Sequence, residues 1–287
     1  MKLYSIETGC FKLDGGAMFG VAPKAIWKKL NPPDELNLCT WAMRCLLVED
    51  GKRLVLVDTG IGNKQDDKFF SHYYLHGPDS LQGSLEKLGF TANDITDVLL
   101  THLHFDHCGG AIVRKGEALV PAFPNATYHS HERHWQWAIH PNAREKASFL
   151  KDNIEPIRSS GQLNFISTSD EKSILKPFGT GIVDGLDCLL AGGHTEAMML
   201  PVIQYKGRTI VYMADLLPST AHIPLPYVMA YDMFPLTTLQ EKAAFFKAAI
   251  DNDYVLFFEH DPLYACCTLQ LTEKGVRVKE TFPLTAL

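Results

Sequence analysis

Hydrophobic and polar positions along the chain fall into two stretches of short strands, each closed by helical spacing. In the first, Lys2 to Thr8, Ala42 to Glu49 and Arg53 to Asp58 read as strands, the last two joined through the Asp50-Gly51 turn. Leu81, Leu85 and Leu88 recur at helical intervals and Gly89 follows, which predicts a helix over Asp79 to Leu88. The continuous apolar run Asp97 to Thr101 predicts a buried strand. The second stretch repeats the rhythm at Cys188 to Ala191, Met199 to Tyr205 and Thr209 to Met213, with a Lys206-Gly207 turn between the last two. A helix over Thr238 to Ile250, a strand at Tyr254 to Phe258 and a last strand at Val276 to Thr281 complete it.

Two β-rich halves with flanking helices suggest an α/β fold of two sheets packed face to face, helices outside, as a single domain over residues 1–287. Two segments fit no element. Gly15 to Pro33 is rich in Gly and Pro, and Leu216 to Pro235 carries four prolines among apolar residues. Irregular stretches of that length with apolar content are expected to be ordered and functional, so both are placed over the active site.

Composition narrows the partners. Thirty-three acidic against 27 basic residues give a formal charge of -6, which repels polyanions and argues against nucleic acid. The N-terminal residues form no continuous apolar segment, so neither a secretory signal nor membrane insertion is expected. Seven scattered cysteines without a CxxC pair read as reduced thiols, and a cytoplasmic location follows. Vicinal Cys266 and Cys267, like Cys108, are read as buried packing residues.

The chemistry lies in His102, His104, Asp106 and His107, a His-x-His-x-Asp-His run just past the predicted strand Asp97 to Thr101. Residues two apart on an extended arm point the same way, so His102 and His104 can share one metal, with Asp106 and His107 turned toward another. A polar surface loop would have no reason to follow a buried strand. His194, Asp215 and His260 each lie just past a later predicted strand, so all can converge on one edge of the sheets. A structural zinc site would be closed and rich in Cys, whereas these seven residues include none, which favours an enzyme.

In order and strand context, these seven residues resemble the ligand set of the metallo-β-lactamase superfamily, and the resemblance covers nearly the whole chain. It implies a four-layer αββα sandwich of two mixed sheets. It also implies two Zn2+ per chain, His102, His104 and His194 holding the first, Asp106, His107 and His260 the second, and Asp215 bridging. Leu56-Val57-Asp58-Thr59-Gly60 is similar to the superfamily's early Asp-Thr-Gly motif, whose Asp58 would support the ligands from behind. The implied chemistry is hydrolysis by hydroxide shared between the metals, with Asp106 moving the proton.

Gly15 to Gly20 and Asp215 to His222 look most like the branch of N-acyl-homoserine lactonases and methyl-parathion-type hydrolases. A lactonase acting on a small molecule with an apolar acyl or aromatic part is the implied activity. A phosphotriesterase or aryl-ester hydrolase is the alternative, and a glyoxalase II-like thioester hydrolase is disfavoured because only 27 residues follow His260. Met18, Phe19, Leu225, Val228 and Met229 would line the substrate pocket. Pro218 stands where such lactonases carry a Tyr that donates to the substrate carbonyl, so His222 and Tyr227 are the candidate replacements. His129, His131, His134 and His140 are read as surface or pocket rim. Phe69, Phe70, Tyr73 and Tyr74 are read as an exposed cluster suited to a homodimer contact.

Overall fold

A computed structural model describes residues 1–167 and 174–287. Its first sheet contains β1 (Lys2–Asp14), β2 (Leu38–Glu49), β3 (Leu54–Val57) and β4 (Asp97–Leu99). A separate hairpin, β5 (Ile112–Lys115) with β6 (Ala118–Pro121), follows, and β7 (Thr127–His131) and β8 (Leu163–Ile166) complete the sheet in the order β1-β2-β3-β4-β7-β8. The first three strands pair antiparallel and the remainder parallel.

The second sheet holds β9 (Phe178–Gly179), β10 (Leu186–Ala191), β11 (Met198–Tyr205), β12 (Arg208–Tyr212), β13 (Val255–Phe257), β14 (Cys266–Thr272) and β15 (Gly275–Phe282). Here β12 and β13 are parallel and the other pairs antiparallel, so both sheets are mixed.

Alternation along the strands explains the layering. Leu46, Val48, Val55, Val57 and Leu99 join one buried cluster with Leu200, Val202, Ile210 and Leu256 of the second sheet. Their neighbours Cys45, Leu47, Leu54, Leu56 and Val98 turn the other way and pack under Leu85, Trp135, Ile154 and Ile157 of outer helices. Phe245, Phe246 and Ala249 bring the helix Pro235–Asp251 onto the second sheet. The architecture is two mixed sheets with helices outside, as the spacing predicts.

The Gly15 to Pro33 stretch is more regular than expected. Asp14 caps a short helix, Gly15–Phe19, by accepting from Ala17 N at 2.8 Å, and a second short helix covers Lys24–Trp27. Ala230 N donates to Ala17 O at 2.8 Å, joining this stretch to the 216–235 loop. Buried Lys242 ties the same loop down from below, donating to the carbonyls of His222 at 2.8 Å and Tyr227 at 2.7 Å.

Candidate metal centre and cavity

Each of the seven predicted ligands sits where a strand or turn delivers it to one edge of the two sheets. His102 and His104 follow β4, and His104 precedes the one-turn helix Phe105–Cys108 that carries Asp106 and His107. Two glycines after that helix are needed for close approach rather than for an unusual backbone. A Cβ on Gly109 would stand 2.0 Å from Ile61 O, and one on Gly110 2.2 Å from Thr59 O. His194 follows β10, Asp215 follows β12 and His260 follows β13. Asp58 and Ala214, flanking the site at strand ends, both adopt positive φ, 57° and 41°, a local strain that functional loops commonly hold.

The side chains form two clusters joined by one carboxylate. In the first, His104 Nδ1 is 3.1 Å from both His102 Nε2 and His194 Nε2. In the second, His107 Nε2 and His260 Nε2 are 3.2 Å apart, with Asp106 Oδ2 3.7 Å from the latter. Asp215 lies between, Oδ2 at 3.0 Å from His194 Nε2 and Oδ1 at 3.2 Å from His260 Nε2.

The other nitrogen of every ring is held. His194 Nδ1 donates to Asp232 Oδ1 at 2.8 Å, His260 Nδ1 to Ala42 O at 2.8 Å, and His104 Nε2 to Glu145 Oε1 at 2.9 Å. His102 Nδ1 donates to Thr101 Oγ1, which donates onward to Asp58 Oδ2. His107 Nδ1 reaches Asp58 Oδ2 at 3.2 Å, and Glu259 Oε2 lies 2.9 Å from the same nitrogen. With these nitrogens held outward, the inward nitrogens of both clusters face one another and Asp215. Among the described residues, Asp215 Oδ1 is buried with no hydrogen-bond donor. Converging imidazole nitrogens and an orphaned carboxylate oxygen are what a divalent cation satisfies, and the donor set of imidazoles and carboxylates suits it.

The carboxylates among these rings also set their charges. Burial opposes charge on Asp215, but His194, His107 and His260 hold its carboxyl well below the usual range. Burial likewise opposes a proton on His194 and His260, yet Asp215 outweighs it, raising them to about 10 and about 9. Burial pushes His102 well below 6.5, so it stays a neutral imidazole. Glu145 is buried too, but donation from His104 holds it down to about 2.

A cavity of about 420 Å³ opens over the cluster, lined by His104, Asp106, His194, Asp215 and His260 at its floor. Met18 and Met229 line it as expected, together with Tyr73, read above as part of an exposed cluster, and with Arg144, Tyr231 and Met233. The other expected pocket residues lie elsewhere. Phe19 is buried behind the wall, stacked between Trp27 and His222, while Leu225 and Val228 are not among the lining residues. His222 itself is only 1% exposed. One of its nitrogens bonds Ser219 Oγ at 2.8 Å and the other donates to Met18 O at 2.9 Å, and burial drops its pKa to about 3. Both nitrogens being engaged, it is a packing residue rather than a proton donor to substrate. Tyr227 sets its ring edge-on to Phe19, outside the cavity lining.

Two further expectations are corrected. His129, His131 and His134 are buried, not surface, and only His140 lies near the exterior. His134 accepts from Leu103 N at 2.8 Å and donates to Glu196 O at 2.6 Å, fixing the backbone between His102 and His104. Phe69 and Tyr73 pack on Phe105 at the cavity wall, and of the cluster proposed as exposed only Tyr74 is.

The profile of the metallo-beta-lactamase superfamily matches residues 44–260, spanning every one of the seven clustered residues. The chain belongs to the metallo-beta-lactamase superfamily. Within it, a probable metallo-hydrolase of Mycobacterium tuberculosis is 27% identical over 289 aligned positions, covering 86% of this chain and 85% of its own length. An N-acyl homoserine lactonase of Bacillus thuringiensis is 29% identical over 119 positions, 38% of this chain and 43% of its own. The crystal structure of a probable metal-dependent hydrolase from Staphylococcus aureus superposes with a TM-score of 0.86 at 28% identity, covering 100% of this chain and 98% of that one. A dizinc quorum-quenching lactonase shares the fold, with a TM-score of 0.78 at 23% identity over 98% of this chain and 95% of its own. The superfamily's chemistry and this site agree: the protein is a metal-dependent hydrolase.

Sequence reasoning missed Glu145, Asp232 and Glu259. Glu259 adjoins His260 and was open to suspicion on that ground. The first two lie on irregular segments, far from the histidines they hold, and carry no spacing signal.

Proposed function

We propose that the protein, as one domain over residues 1–287, is a dinuclear zinc hydrolase that opens lactones or cleaves related ester bonds in small molecules. His102, His104 and His194 would hold one ion, Asp106, His107 and His260 the other, with Asp215 shared. The observation that carries the reading is Asp215, whose two carboxylate oxygens face the two histidine clusters at 3.0 and 3.2 Å. When bound there, two zinc ions would supply an acidified water near neutral pH and would polarise the scissile carbonyl.

The chain's own contribution is proton handling and shape. Asp106, at the cavity floor, is placed to take the nucleophile's proton on a carboxylate oxygen and return it to the leaving oxygen. The outward hydrogen bonds to Asp232, Glu145, Ala42 and Asp58 fix the rings so that their inward nitrogens would face the ions. Leu13, Met18, Phe105, Met229 and Met233 give the cavity an apolar wall suited to an acyl chain or aromatic group.

The similarity to N-acyl homoserine lactonases favours a lactone over other esters, and seven free thiols suit a reducing, cytoplasmic setting. Among the described residues no helix is long and apolar enough to cross a membrane. The test is turnover by zinc-loaded protein of acyl-homoserine lactones, γ- and δ-lactones, an aryl ester, methyl parathion and S-lactoylglutathione. Lactones are expected to be hydrolysed fastest. Faster turnover of methyl parathion or the aryl ester would move the assignment to the phosphotriesterase and aryl-ester class.

A further inference from the structure

We propose that Arg144 makes this cavity selective for substrates that carry a carboxylate away from the scissile bond, an inference that rests on the ester and lactone reading above. Arg144 is the sole lysine or arginine among the residues that line the cavity. Its backbone is fixed: Asn142 Oδ1 accepts from Arg144 N at 2.9 Å and from Glu145 N at 3.0 Å. Because Glu145 in turn holds His104, the guanidinium projects from a point tied to the metal centre.

One N–H of the guanidinium crosses to Ala230 O on the facing 216–235 loop. Among the described residues Arg144 makes no ion pair, so the rest of its donor fork is left for a ligand. The neighbouring polar groups on the wall point to the same chemistry. Tyr73 and Tyr231 line the cavity, and among the described residues neither phenol hydroxyl has a protein partner. The acids that line it, Asp106, Glu145 and Asp215, belong to the metal centre and its supports at the floor.

A ligand meeting this wall therefore encounters unused donors and one uncompensated cation. An arginine fork binds a carboxylate through two parallel charge-assisted bonds. The chain's formal charge of -6 would otherwise repel such a substrate, which makes a local cation at the mouth decisive. Solvent exposure of Arg144 limits the effect, so a preference of about tenfold is expected.

The experiment compares a γ-lactone whose side chain ends in a carboxylate with its methyl ester, on zinc-loaded wild type, Arg144→Gln and Arg144→Lys. Steady-state kinetics and calorimetric binding are both recorded. The acid is expected to have about tenfold lower KM in the wild type, a ratio near one in Arg144→Gln, and partial recovery of the ratio in Arg144→Lys. If neither compound turns over but the binding preference disappears in Arg144→Gln, the lactone reading fails while the inference stands. Equal affinity for acid and ester in the wild type overturns it. So does a preference that survives Arg144→Gln, because the metals rather than Arg144 would then be capturing the carboxylate.

Discussion

His194 Nδ1 lies 2.8 Å from Asp232 Oδ1, which makes a loop between two distant elements responsible for the orientation of a candidate metal ligand. Carboxylates behind metal-binding imidazoles typically contribute 10–100-fold to metal affinity. Asp232→Ala is therefore expected to lower zinc affinity at the first site by about tenfold or more. Competition with a chromophoric chelator measures it, and unchanged affinity would remove Asp232 from the account.

Arg44 grips the turn that carries His260. Its Nη1 donates to the carbonyls of Phe258 and Asp261, both at 3.0 Å, while Nε pairs with Glu7. Lysine has no planar fork with which to serve these partners together. Arg44→Lys should cost about 2–3 kcal/mol of stability and weaken the second metal site before the first. Urea denaturation and zinc stoichiometry report the two effects separately.

Gly193, next to His194, has no room for a side chain. A Cβ there would stand 2.3 Å from Thr238 Oγ1 and 2.5 Å from Thr238 N. The contact is with backbone of the helix Pro235–Asp251, so the turn rather than the helix must move. Gly193→Ala is expected to destabilise by about 1–3 kcal/mol and displace His194, with loss of activity exceeding that of Gly116→Ala on an open turn. Equal activities of the two variants would contradict the packing argument.

Protonation of the metal-free protein follows from the carboxylates around its histidines. With pKa values near 10 for His194 and near 9 for His260 against 6.5 unfolded, the folded state binds more protons than the unfolded one above pH 6.5. That stabilisation is fully present below pH 6.5 and is lost as pH rises through 9 and 10. The metal-free Tm should fall across this interval, and zinc loading at pH 7.5 should release protons from both rings. An indicator-dye titration with no proton release would show that these histidines are already neutral.

Much of the fold was legible because strand alternation survives burial. Leu54 to Val57 and Met198 to Tyr205 were found within a residue or so. β1 extends beyond Thr8 to Asp14, past a register shift between Glu7 and Cys10 that breaks the alternation. The helix Lys151–Ser159 was hidden by Pro156 in its interior. The seven clustered residues were visible because each follows a strand. Of their supports only Asp58 was: Glu145 is 41 positions from His104 and Asp232 is 38 from His194, on segments without periodicity. Sequence proximity to Asp215 drew His222 into the site, whereas only packing decides that its ring turns to Phe19 and its nitrogens to Ser219 and Met18.

The most direct test is titration of metal-free protein with zinc, following bound equivalents and lactone turnover on the same samples. No turnover without metal and a plateau at two equivalents per chain are expected, with Asp215→Ala failing to reach it. Full activity at one equivalent, or turnover by the metal-free protein, would contradict a centre in which Asp215 joins two ions.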